Sequence, residues 1–240
     1  CSYLSEMNQP NVIVRDDELS VVKSLCKTLE LKCNEKAALG QKFYVGLSGG
    51  SLVGLLEKGL KDIHCNWGIW RIFFCDERLV SFDSPDSTFG QYCKMLPHIQ
   101  LKKENFFPIN PDLSVDEAAA DYSKKIKEEM LCEIPMFDVL ILGLGPDGHT
   151  CSLFPGHEVL EENNLVVAPV SDSPKPPPCR VTFTYPVLNN AKCCIFAITG
   201  ESKSKIVKEI LADNHDYPAT RVKPAGELLW ILDKKAASLL

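Results

Sequence analysis

An apolar run that stops at a pair of glycines constrains this chain more than any other feature. Val139-Leu140-Ile141-Leu142 reads as a buried strand. Gly143 and Gly145 read as a turn in which backbone can approach a ligand, and Asp147 and His149 follow on either side of Gly148. The stretch therefore sets a carboxylate and an imidazole where a strand ends, the position at which open α/β sheets bind ligands.

Strand-like and helix-like segments alternate through the chain. Strands are expected at Phe43 to Leu47, Ile69 to Cys75, Val166 to Val170, Val181 to Thr184, Cys194 to Thr199 and Leu228 to Leu232. A helix is expected from Glu18 to Ala38, with Leu19, Val22, Leu25, Cys26 and Leu29 on its inner face. Others are expected over Leu52 to Leu60, after the capping-box spacing Ser114–Glu117, over Lys203 to Leu211, and over Lys234 to Leu240. Such β-α alternation implies a mostly parallel sheet with helices on both faces. Ser171-Asp172-Ser173-Pro174-Lys175-Pro176-Pro177-Pro178 is too short for an interdomain linker and reads as a stiff loop.

The 240 residues, 45% hydrophobic, suit one large α/β domain or two small ones. A formal charge of −6 argues against nucleic acid as the main partner. The apolar runs are too short to span a bilayer. The 11 cysteines are odd in number and several fall inside expected strands or helices, so they read as reduced thiols of a cytoplasmic protein. The five histidines form no metal-ligand spacing.

Four constellations could carry chemistry. Gly46-Leu47-Ser48-Gly49-Gly50-Ser51, between strand and helix, suits a phosphate through exposed N–H groups and a helix N-terminus; the competing reading is a tight turn capped by Ser51. Asp76-Glu77-Arg78 follows an apolar strand directly, and its charges either point into a crevice or form a solvated loop. Asp147-Gly148-His149 supplies an imidazole that can accept a proton at neutral pH and a carboxylate to fix its tautomer, unless His149 merely caps the next helix. Arg180 and Lys203 could complete an anion site or remain surface charges. Cys151 and Ser152 lie near His149, but nothing in the sequence marks Cys151 as facing a cleft.

Taken in order along nearly the whole chain, Ser48–Ser51, Asp76–Arg78, Gly143-x-Gly145-x-Asp147-Gly148-His149-Thr150 with Ser152-Leu153-Phe154-Pro155, and Arg180-Val181-Thr182 resemble the 6-phosphogluconolactonase family. The proline-rich run at 171–178 is similar to the cytosolic animal type. The resemblance implies a single domain over residues 1–240 with the three-layer αβα fold of the glucosamine-6-phosphate deaminase superfamily, built on a Rossmann-like, mostly parallel sheet. It implies no cofactor and no metal, a sugar-phosphate lactone as substrate, and a monomer. It also implies roles: His149 as general base toward water, Asp147 orienting it, Arg78 holding substrate or polarising an oxyanion, and Asp76 bracing the site. Ser48, Gly49, Gly50, Ser51, Arg180 and Lys203 would contact substrate, chiefly its phosphate. The related deaminase, an aldose–ketose isomerase, carries a carboxylate where this chain has Phe154, so isomerisation is the weaker expectation. A non-catalytic sugar-phosphate sensor on the same fold would not need His149.

Overall fold

The computed structural model describes residues 10–240. Strands β1 (Asn11–Arg15), β2 (Phe43–Leu47), β3 (Trp70–Phe74), β5 (Val139–Leu142), β8 (Cys193–Ile198) and β9 (Glu227–Asp233) form a parallel six-stranded sheet in the order β1-β9-β8-β5-β2-β3. Successive side chains of a strand point to opposite faces, and β5 shows both faces buried. Leu140 and Leu142 enter one apolar core, Val139 and Ile141 the other. The second core is closed by α1 (Glu18–Ala38), α2 (Ser51–Gly59) and α3 (Thr88–Met95). The first is closed by α4 (Val115–Met130), α5 (Tyr185–Asn189) and α6 (Ser204–Leu211). The result is the three-layer arrangement expected from the alternation.

The first core is also covered by a feature the alternation did not announce. Strands β4 (Asp76–Arg78), β6 (Val167–Val170) and β7 (Arg180–Phe183) leave the parallel sheet and make a small antiparallel sheet, β4-β7-β6. Its apolar residues Val167, Ala168, Val170, Val181 and Phe183 all belong to the first core. Apolar strands buried against a second layer look alike in sequence whether they pair parallel or antiparallel.

Other expectations need correcting. Of the two readings of Asp76-Glu77-Arg78, the solvated loop is the one set aside: the segment is a strand, with Asp76 and Glu77 both buried. Leu19 is exposed, and Val21 takes its place on the buried face of α1. Lys234 to Leu240 forms turns instead of a helix. The helix after Ser48-Gly49-Gly50 is capped at Gly50, and Ser51 is its first residue, with no side-chain cap. No helix of the described residues is long and apolar enough to cross a membrane.

Candidate active site

Three chain segments converge beyond the C-terminal ends of β2, β5 and β3. The first follows β2. Ser48 N–H donates to the Ile141 carbonyl at 3.1 Å, and the Ser48 carbonyl accepts the Tyr92 hydroxyl at 2.8 Å, which pins the start of the turn. Gly50 sits at φ +69, where glycine pays no steric penalty. The N-terminus of α2 then faces the cleft, adding its partial positive charge. The Ser48 hydroxyl is buried without a hydrogen-bond partner among the described residues. A buried hydroxyl left unsatisfied is costly, and a bound ligand would satisfy it.

The second segment follows β5. Gly145 N–H donates to the His149 carbonyl at 2.8 Å and Gly148 N–H to the Gly145 carbonyl at 3.1 Å, closing a compact turn. No helix follows, so His149 is not a cap. Asp147 Oδ1 instead hydrogen-bonds His149 Nδ1. A Cβ on Gly145 would lie 1.9 Å from that nitrogen, so the turn accommodates the pair only because residue 145 has no side chain. The Phe154 ring packs against the imidazole with centroids 4.7 Å apart.

Lys175 Nζ stands 3.2 Å from Asp147 Oδ1 and 3.2 Å from His149 Nδ1. The two neighbours make opposite demands on the imidazole. A carboxylate requires a proton on Nδ1, whereas an ammonium prefers that nitrogen bare. The closer contact is with Asp147, which assigns the proton to Nδ1 and leaves Nε2 with its lone pair. Burial pulls the His149 pKa below its ordinary value. Asp147 opposes that effect, Lys175 adds to it, and Asp76 opposes it weakly. Burial alone would raise the Asp147 pKa, but His149 and Lys175 outweigh it and hold the carboxyl at about 2. At neutral pH the pair is thus an ionised carboxylate and a neutral imidazole.

The third segment is β4. Alternation along the strand turns Asp76 and Arg78 to the cleft and Glu77 away from it. Ser152 Oγ donates to Asp76 Oδ2 at 2.9 Å. Arg78 Nη1 donates to the Asp86 carbonyl at 2.7 Å. Glu77 is fully buried and accepts the backbone N–H groups of Arg78, Thr88 and Phe89 at 2.7, 2.8 and 2.7 Å. Burial raises its pKa against those hydrogen bonds, and its position at the head of α3 makes it structural.

Two further cations complete the wall. Arg180 is 3% exposed and donates to the carbonyls of Lys175, Pro176 and Pro177 at 2.9, 3.1 and 3.0 Å. Lys203 Nζ donates to the Leu144 carbonyl at 2.6 Å, and burial lowers its pKa. The cleft they enclose measures about 220 Å³ and is lined by Ser48, Gly49, Gly50, Ser51, Asp76, Arg78, His149, Cys151, Arg180 and Lys203, with Gly143, Leu144 and Gly145. Asp147 stands behind His149. The structure therefore brings together every site residue expected from the sequence.

It also adds three. Lys175 was hidden in a run that reads as a stiff proline loop. Ser152 stands out in the sequence only as a neighbour of His149 and part of the family motif. Cys151 lines the cleft after all, at φ +51, but hydrogen bonding to Cys75 and burial push its thiol well above the ordinary value, which disfavours the thiolate a nucleophile needs.

Residues 16–230 match the family described as glucosamine-6-phosphate isomerases/6-phosphogluconolactonase. The chain belongs to this family. It is 50% identical over 209 residues to the 6-phosphogluconolactonase of Homo sapiens, a match covering 83% of this chain and 81% of that protein. The animal-type resemblance read from the motifs therefore holds. The 6-phosphogluconolactonase from Trypanosoma cruzi superposes with a TM-score of 0.83 at 28% identity, covering 96% of this chain and 97% of that one. A monomeric glucosamine-6-phosphate deaminase superposes with a TM-score of 0.77 at 20% identity over 96% of this chain and all of its own, which shows the shared fold alone.

Proposed function

We propose that the chain hydrolyses 6-phospho-D-glucono-1,5-lactone to 6-phospho-D-gluconate, with His149 as general base and no covalent intermediate. The observation that carries this reading is an imidazole hydrogen-bonded to a carboxylate, in a cleft whose three cations hydrogen-bond, among the described residues, to backbone carbonyls. Names borne by relatives at about half identity support the substrate class.

A water held by Nε2 attacks the lactone carbonyl and passes its proton to the imidazole. Asp147 stabilises the imidazolium as it forms. The carbonyl oxygen becomes an oxyanion beside Arg78, whose fixed charge is worth more there than in water. Collapse breaks the bond to the ring oxygen, which takes the proton back from His149 as the alcohol of the open-chain acid. Arg180, Lys203, the Ser48–Ser51 turn and the end of α2 hold the phosphate dianion. Asp76, kept in place by Ser152, braces the cation wall. A δ-lactone is an activated ester, so a placed base and a charged donor suffice without metal or cofactor.

Isomerisation fits less well. The position where the deaminase relative carries a carboxylate is an apolar ring packed on the imidazole. The test is acid release from freshly generated 6-phosphogluconolactone, above its spontaneous opening, with His149→Ala in parallel. Rapid release by the wild type and a loss of at least about a hundredfold in the variant are expected. A fully active variant would remove His149 from the mechanism.

A further inference from the structure

Lys175 is held too well for a surface lysine. Its carbonyl accepts both Arg180 Nη2 at 2.9 Å and Ser173 Oγ at 2.8 Å. Ser173 N–H closes the loop on the Pro178 carbonyl at 3.1 Å. The buried guanidinium of Arg180 and a proline-stiffened backbone therefore fix the root of a side chain whose tip reaches the base. That tip contacts both members of the Asp147–His149 pair, and Nζ also lies 6.0 Å from the centroid of the Phe154 ring on which the imidazole rests.

We propose that Lys175 is a positioning residue for the base, an ammonium that orders Asp147 opposite Nδ1 and opposes a second positive charge on the imidazole beside it. The proposal deepens the lactonase reading and rests on it for its catalytic meaning. The charged groups facing the imidazole are Asp147 on its own turn, Asp76 on β4 and Lys175 on the proline loop. Two carboxylates favour the imidazolium. Without Lys175 the balance moves toward protonation, and the base would be lost to acid at a pH closer to that of the cytosol.

The geometry also gives Lys175 a second effect on the same pair. An ammonium bonded to Asp147 fixes that carboxylate opposite Nδ1, so the imidazole keeps the tautomer that leaves Nε2 bare. Its side chain is 37% exposed, so solvent weakens the charge without removing it.

The test is titration of the His149 ring protons by NMR in wild type, Lys175→Met and Lys175→Arg, with the pH dependence of kcat/KM for the phosphorylated lactone measured on the same samples. Lys175→Met should move the His149 midpoint upward by about half a pH unit or more, and the acid limb of kcat/KM should move with it. At a pH on that limb the variant should then lose about threefold in rate, with a smaller loss above the limb. Lys175→Arg should restore the wild-type titration. An unmoved midpoint in Lys175→Met, or one that moves equally in the arginine variant, would overturn the proposal and leave the lysine as a loop clamp. The titration needs no turnover. If the wild type fails to hydrolyse the lactone, the lactonase reading fails while the link between Lys175 and His149 is still decided.

Discussion

Two charged hollows open on opposite ends of the same parallel sheet, and the larger is the less interesting. Near the N-terminal ends of β2 and β3, a recess of about 740 Å³ is lined by Lys42, Arg71, Lys102, Glu104 and Glu129 among others. Its charges answer one another: Lys42 Nζ lies 2.5 Å from Glu129 Oε1, and Arg71 Nε lies 3.4 Å from the same oxygen. At the C-terminal ends the cleft is about 220 Å³, and Arg78, Arg180 and Lys203 bond to carbonyl oxygens. A carbonyl satisfies a donor but does not neutralise a charge. Against these three cations the lining holds one carboxylate, Asp76, so the small cleft retains a net positive charge, while the large recess has largely cancelled its own. Net charge beside an imidazole, more than volume, sets the two hollows apart.

That contrast can be broken in four places. The largest effect is expected from Gly145→Ala, whose new methyl would displace the Asp147–His149 pair; kcat/KM for lactone hydrolysis should fall by about a hundredfold or more. A near-normal rate would mean that the base is not in that turn. Next, if Lys203 holds the phosphate as proposed, Lys203→Met should raise KM for the phosphorylated lactone about tenfold while hydrolysis of unphosphorylated gluconolactone changes little. Equal losses on both lactones would move Lys203 from the phosphate to the reacting carbonyl.

The third concerns pH. Burial holds the His149 pKa below 6.5, and the proposed mechanism uses the neutral form, so kcat/KM should rise with pH through a limb below 6.5 and flatten above it. Folding stability carries the same sign. The unfolded chain binds the His149 proton at a higher pH than the folded one, so stability is lost as pH falls below about 6.5. The Asp147 contribution is present above its ordinary 3.8 and disappears as pH falls toward about 2. A rate limb lying above pH 7 would contradict the neutral-imidazole assignment. The smallest effect belongs to the other hollow: Lys42→Met should leave hydrolysis unchanged and cost under about 1 kcal/mol in a thermal melt. A marked loss of activity there would undo the comparison.

Much of this was legible before any coordinates, for a physical reason. Turns that follow buried strands have little freedom, so Gly143 to His149 and Ser48 to Ser51 betray their purpose within a few residues. Charges after an apolar strand are similarly exposed as unusual, which is why Asp76 and Arg78 could be placed. What stayed hidden depends on partners distant in sequence. Helix α3 forms because Ser87 caps it and because Glu77 accepts the N–H groups of Thr88 and Phe89 across an intervening loop. Strand β1 is short, sits at the sheet edge and exposes Val12 and Val14, so it lacks the apolar signature of a central strand. Lys175 could not be told from any lysine in a proline loop, because its meaning comes from Arg180 and Asp147, not from its neighbours in the chain.

The Phe154 ring has a wider consequence. It lies 4.7 Å from the imidazole and 5.6 Å from the Arg180 guanidinium, centroid to group, so the two cleft-lining groups rest on one apolar ring. An apolar surface that takes no part in bond making thus joins two groups held by separate segments of chain, and a smaller side chain there would open a gap between them without removing any polar atom.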